Sequence, residues 1–380
     1  MNPLPPFFAP IAVSRRLRAW LAAAGLVMLA GCAGEVRQPE PPRPAAVRAQ
    51  IARLLPASTP DRAGWAADIY GAFAALEIAP SLSNLCAALA VTEQESSFRA
   101  DPPVPNLPRL AWTEIDRRAE RLGVPEVAVR LALQLPSPNG KRYSERIDAV
   151  NTERELSGIF EDFIGMVPMG GRLFGGLNPV RTGGAMQVSV RFAEDHARAR
   201  PYPYAPRGSI RHEVFTRRGG MYFGIAHLLD YPASYDRQLY RFADFNAGQF
   251  ASRNAAFQRA VAHASGIPLE LDGDLIRHGG DEDGRPGKTE LAVRTLGASL
   301  DMDERAIRRA LEQGDRAEFE RGTLYKRVFD LAEKRARRPL PRAVLPHIAL
   351  KGPKISRKLT TEWFAKRVDA RYRRCLTRGS

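Results

Sequence analysis

Glu95 follows Leu85, Leu89 and Thr92 at helical spacing, which places its carboxyl at the rim of an apolar helix end. A free glutamate has a pKa of about 4.3 and is ionised at neutral pH. Desolvation at such a rim raises that value and leaves a proton to hand to a leaving oxygen. Glu93, two residues earlier, points elsewhere, and Ser96 can hydrogen-bond near the helix terminus. Two further segments carry polar or small residues in a suggestive order. Gly184-Ala185-Met186-Gln187 follows a glycine-rich stretch at 165–184. Phe245-Asn246-Ala247-Gly248 comes after Met221-Tyr222-Phe223-Gly224 and His227-Leu228-Leu229.

A second chemistry belongs to cysteine. Residues 1–31 contain Arg15, Arg16 and Arg18, no acid, and an apolar run from Trp20 to Ala30, the pattern of a signal peptide. The run ends in Leu29-Ala30-Gly31-Cys32, which looks like a bacterial lipobox, with the Cys32 thiol as lipid acceptor. The alternative is a plain secretory signal with an incidental cysteine. Ala33 stands where an aspartate would signal inner-membrane retention, so the expected location is the outer membrane, on its periplasmic side or at the cell surface. Cys86 and Cys375 remain as a pair in an oxidising compartment, each on an apolar helical face. They can close a disulfide or stay two buried thiols.

The chain is strongly basic, with a net charge of +15. Removing residues 1–31 takes away three arginines and leaves +12. Such charge usually suggests nucleic acid, but export excludes it and leaves anionic envelope polymers, or a solvated basic surface without a specific partner. Apolar residues make up 44 % of the chain, enough for packed cores, and no apolar stretch is long enough to span a bilayer.

The elements that must position these groups are mainly helices. Residues 32–46, rich in proline, read as the lipid anchor and an extended tether. Thr59-Pro60-Asp61 opens a helix to about Leu76, and Pro80-Ser81 opens the one that ends near Glu95. Helical spacing recurs at Ala111–Leu122, Pro125–Leu135, Gly224–Leu229 and Leu239–Ala247. Residues 165–184 read as irregular, and Ile210–Thr216 as a short strand. Arg277–Lys288 is a polar loop. Its acids Asp281, Glu282 and Asp283 lack a full calcium ligand set and fit a surface turn. Asp301–Glu304 resembles a capping box for a helix that stops at Gly314. No metal or cofactor is expected.

The ordered motifs resemble the soluble-type lytic transglycosylases of the lysozyme superfamily, whose pattern runs E-S-x-F, G-L-M-Q, a helix with N-I-x-x-G-x-x-Y-L, then Y-N-A-G. The resemblance covers roughly residues 60–265 and implies an all-α lysozyme-like domain at 47–275, with an insertion at about 101–180 and a basic helical extension at 276–380. It also implies that Glu95 protonates a glycosidic oxygen in peptidoglycan and then takes a proton from the sugar's C6 hydroxyl, giving a 1,6-anhydromuramyl end. Gln187 would fix a loop or a sugar acetamide, Met186 would wall the pocket, and Asn246 and Gly248 would shape the turn after the last motif helix. Tyr202 and Tyr204 can stack on sugar faces. If a hydrolase used a second carboxylate instead, Asp244 or Asp195 would supply it. The departures are Phe245 where the family has tyrosine, Gly220 where it has asparagine, and the long insertion. They favour a rival reading: a weakly active or inactive glycan-binding scaffold, or an envelope peptide-uptake partner. A second resemblance rests on Ser252-Arg253-Asn254-Ala255-Ala256-Phe257, on Lys351 to Arg357 and on Thr360 to Ala365. These look like the YaiW type, an uncharacterised family of proteobacterial outer-membrane lipoproteins.

Overall fold

A computed structural model describes residues 43–206, 208–277, 285–350 and 359–379. The signal peptide, Cys32, most of the tether, the acids Asp281, Glu282 and Asp283, and the Lys351–Arg357 segment lie outside the described residues.

The chain is mainly helical. In order the helices are α1 (Pro44–Leu54), α2 (Arg62–Ala75), α3 (Leu82–Ser96), α4 (Leu107–Arg121), α5 (Glu126–Ala132), α6 (Tyr143–Asp148), α7 (Glu153–Gly165), α8 (Gly170–Phe174), α9 (Val190–Ala199), α10 (Ile210–Val214), α11 (Arg217–Leu229), α12 (Gln238–Ala247), α13 (Ala251–Ser265), α14 (Lys288–Arg294), α15 (Gly297–Leu300), α16 (Glu304–Leu311), α17 (Thr323–Ala336) and α18 (Thr361–Gly379). Two antiparallel hairpins interrupt them. β1 (Thr182–Gly183) pairs with β2 (Val188–Ser189), and β3 (Ala349–Leu350) with β4 (Leu359–Thr360).

Short polar side chains start the helices around the candidate site. Asp61 accepts from the Gly64 amide, Ser81 from Asn84, Ser189 from Phe192 and Thr216 from Gly219, each satisfying an amide that the first turn leaves free. Two expectations are corrected. Ile210–Val214 is a helix rather than a strand, because Ser209 accepts from the His212 amide and so closes a first turn. Asp301 does not cap α16. It ends α15 with φ at 47°, and Asp303 accepts from the Ala306 amide instead.

From Pro44 onward the chain forms one compact unit with three packed apolar clusters. The first joins α1, α2, α3, the β1–β2 turn, α11, α12 and α18. Every residue of α3 from Leu85 to Thr92 is buried, so this helix is the central rod of the cluster. The second runs from Ala255 to Val344, on both sides of residue 275. The third, built on Leu107, Tyr143, Ile147, Val150 and Phe215, lies mostly in the insertion. The last helix thus leaves the C-terminal region to complete the first cluster. There the Cys86 and Cys375 sulfurs are bonded at 2.01 Å, with Cα atoms 5.5 Å apart. No helix among the described residues is long and apolar enough to cross a membrane.

Candidate functional site at the end of the central helix

Glu95 sits on the last turn of α3, half-buried. The helix stops just beyond it because Ser97 and Phe98 take left-handed backbone angles, with φ of 50° and 60°. Phe98 then folds back, and its ring meets Trp65 edge-on at 5.5 Å. Ser96 is buried, and its hydroxyl donates to the Thr92 carbonyl at 3.2 Å. It therefore tightens the helix end and reaches nothing beyond the helix. Glu93 faces α18, where Arg371 and Arg374 approach it at 3.6 and 3.5 Å. Two carboxylates two residues apart thus face different sides of the helix.

The β1–β2 turn brings the second motif to the same cluster. Gln187 has φ of 50°, and both its amide N–H and its Nε2 donate to the Gly184 carbonyl, at 3.1 and 3.2 Å. Its side chain closes its own turn. Met186 is fully buried, so it does not wall an open pocket as expected; it presses into α11 instead. A Cβ on Gly224 would lie 2.4 Å from the Met186 sulfur. One turn earlier, a Cβ on Gly220 would lie 2.9 Å from the Val214 carbonyl oxygen and 3.1 Å from the Ala185 nitrogen. The end of α10 and the hairpin turn together approach the α11 backbone so closely that an asparagine has no room at 220. On the far side of α11, Thr92 Oγ1 lies 3.6 Å from the Met221 sulfur. So α11 bridges the Glu95 helix and the Gln187 turn.

The third motif is arranged differently. The Phe245 ring lies 5.1 Å from His227, and its carbonyl accepts from His227 Nε2 at 3.2 Å. Asn246 is exposed and accepts at 3.1 Å from the Thr361 hydroxyl that opens α18. Its role is to tie two helix ends. Burial pushes His227 down to about 4, so the ring is neutral, and its Nδ1 is buried without a partner.

Neither alternative carboxylate is placed for catalysis. Asp244 is sealed in the protein, where Tyr235, Tyr231 and the Phe250 and Ser252 amides all donate to it. Asp195 pairs with Arg191 and Arg198 on the surface of α9. Sequence reasoning missed Glu213, which has no solvent exposure. It accepts from the Tyr202 hydroxyl at 2.9 Å and from Arg218 at 3.4 Å. Only the folded chain brings the three together. Tyr202 and Tyr204, with Glu194, Arg198 and Ile210, line an open cavity of about 580 Å³. A smaller one of about 180 Å³ lies beside Ala247, Gly248 and the Asp272–Ile276 segment. Glu95 lines neither. Among the described residues no cluster of His, Cys, Asp or Glu is arranged to hold a metal ion.

Residues 58–378 match the family described as "Protein of unknown function (DUF1615)", and the chain belongs to that family. Over 358 residues it is 54 % identical to "Uncharacterized protein YaiW" of Escherichia coli (strain K12), a match that covers 94 % of this chain and 97 % of that protein. No solved structure matches the chain.

Proposed function

We propose that the protein is an outer-membrane lipoprotein, anchored through Cys32, that cleaves peptidoglycan glycan strands by a lytic transglycosylase reaction with Glu95 as its single acid and base. The observation that carries this reading is the position of Glu95: half-buried on the last turn of a helix whose middle, Leu85–Thr92, is buried in the same packed cluster as the Gln187 turn and α11. An acid in that position gives its proton to the glycosidic oxygen, then takes one from the C6 hydroxyl as that oxygen closes onto C1. The substrate supplies its own nucleophile, so the sealed Asp244 and the surface Asp195 are not needed.

Digestion of purified sacculi with residues 33–380 tests the reading. The expected product is 1,6-anhydro muropeptide, reduced at least about a hundredfold in Glu95→Gln. Equal yield from both proteins removes Glu95 from the mechanism, and reducing ends instead of anhydro ends would mean a hydrolase.

One observation favours the second reading, a non-catalytic glycan-binding scaffold. The residue at 245 carries no hydroxyl, and its ring is packed against His227. Sacculus binding without product, unchanged in Phe245→Tyr, would establish it.

A further inference from the structure

Among the described residues thirteen large apolar side chains are exposed, and eleven of them fall between Leu122 and Leu177, within the insertion. The remaining two, Ile267 and Leu291, are isolated and are the ordinary scatter of any surface. The eleven form two strips. One runs through the end of α4 and along α5, where Leu122 is 72 % and Val127 71 % exposed and no residue of α5 is buried. The other runs from the end of α7 through α8, where Met169 is 63 % and Leu173 62 % exposed. The strips are joined where Arg118 donates to the Leu177 carbonyl. A helix without a buried residue gains nothing from the fold by carrying Val127 and Leu131. Apolar exposure on this scale marks an interaction surface.

The charges on these strips narrow the partner. From Phe163 to Val180 there is no acid and one cation, Arg172. On the first strip Glu126 is paired with Arg130 at 3.1 Å, and Glu120, beside Arg121, is its one exposed acid without an ion pair among the described residues. Arg121 beside Leu122, and Arg172 between Met169 and Leu173, make no ion pair among the described residues. Exposed leucine, methionine and valine interleaved with unpaired arginine is the chemistry of the bilayer interface, where apolar side chains enter the acyl boundary and guanidinium groups meet lipid phosphate. Chain length agrees. If Cys32 carries the lipid, eleven residues separate it from Pro44, and the twelve steps of roughly 3.3–3.6 Å keep the folded unit within about 45 Å of the bilayer.

We propose that the two strips of the insertion form a membrane-docking surface that lays the folded unit against an anionic phospholipid bilayer. A lipid on Cys32 would then hold the protein at the membrane while the insertion fixes which side faces it. The inference does not depend on Glu95 or on any reaction with glycan.

Co-sedimentation with vesicles of phosphatidylethanolamine and phosphatidylglycerol tests it. The protein is residues 33–380, which carries no acyl chain or signal segment and leaves the compact unit from Pro44 intact. Binding is expected, with the partition coefficient at least tenfold lower in Met169→Glu/Leu173→Glu and in Val127→Glu/Leu131→Glu, and unchanged in Ile267→Glu/Leu291→Glu. Far-ultraviolet circular dichroism verifies that each variant is folded. The proposal is overturned by absence of vesicle binding, by binding that the strip variants leave intact, or by a dimer in solution that those variants split while vesicles are ignored.

Discussion

Tyr235 donates a 2.7 Å hydrogen bond to Asp244, whose second oxygen accepts from the Ser252 amide at the same distance. Tyr231 and the Phe250 amide also donate to this carboxylate, at 3.1 and 3.0 Å. One side chain thus joins the end of α12, the start of α13 and the preceding loop, which is where the first and second apolar clusters meet. Asp244→Asn puts an amide N–H against at least one of these donors. It is expected to cost about 1–3 kcal/mol, read as a lower urea midpoint. Burial raises the Asp244 pKa despite these bonds. The folded chain therefore holds that proton more tightly than the unfolded one, and the group's contribution to stability falls as pH rises from about 3.9 through its folded value.

His227 acts in the opposite sense. Its pKa is near 4 in the fold and about 6.5 when unfolded. The unfolded chain takes the proton first, so the stability contributed by the neutral ring is complete above about pH 6.5 and is lost as pH falls toward 4. That window is worth about 3 kcal/mol. In His227→Phe the urea midpoint is expected to fall less steeply as pH drops over that range than in the native chain, by the share His227 contributes. An unaltered slope would place the acid sensitivity elsewhere.

Gly220→Asn, which introduces the residue that the transglycosylase pattern has at this place, is expected to destabilise the protein by about 1–3 kcal/mol. The added Cβ meets backbone atoms of Val214 and Ala185, and these cannot move without shifting the end of α10 and the hairpin turn. Thermal unfolding checks it. A gain in stability would mean that the α11–hairpin contact is looser than described.

Reducing the Cys86–Cys375 bridge is expected to cost about 2–4 kcal/mol. Reductant should lower the denaturation midpoint of the native chain and have no effect on Cys86→Ser/Cys375→Ser, which should already unfold early.

Glu93→Gln serves as the control for Glu95→Gln. It loses ion pairs with the partly exposed Arg371 and Arg374, worth about 0–1 kcal/mol. Sacculus digestion should be unchanged. A loss equal to that of Glu95→Gln would make the helix end as a whole, rather than one carboxyl, the sensitive feature.

The helix around Glu95 was legible because its signals are local: Ser81 is the cap, and the apolar residues recur on one face. Its burial all round was not, since that depends on α18, far along the chain. Ile210–Thr216 misled because it alternates in part, as a short strand can, while the deciding hydrogen bond comes from Ser209. Gln187 was expected to fix a loop or a sugar acetamide, and the structure shows the loop; that Met186 packs into α11 was hidden for a related reason. A motif fixes that they are near the site, but only the close approach of Gly220 and Gly224 shows that both are consumed in packing the turn. Nothing local marks Glu213 as buried, because Tyr202 and Arg218 meet it only in the folded chain. The exposed strips escaped notice because spacing predicts a helix's apolar face without saying whether anything covers it.

The half-cystines of the first cluster are 289 residues apart in sequence, and the buried face of α3 is completed by Phe364, Val368 and Cys375. A chain synthesised from its amino end cannot finish that cluster before α18 has emerged. The segments from α1 to α3 must wait, partly formed and in need of shielding from aggregation, until synthesis is essentially over. Losing only the final helix would therefore damage the earliest part of the protein to arrive.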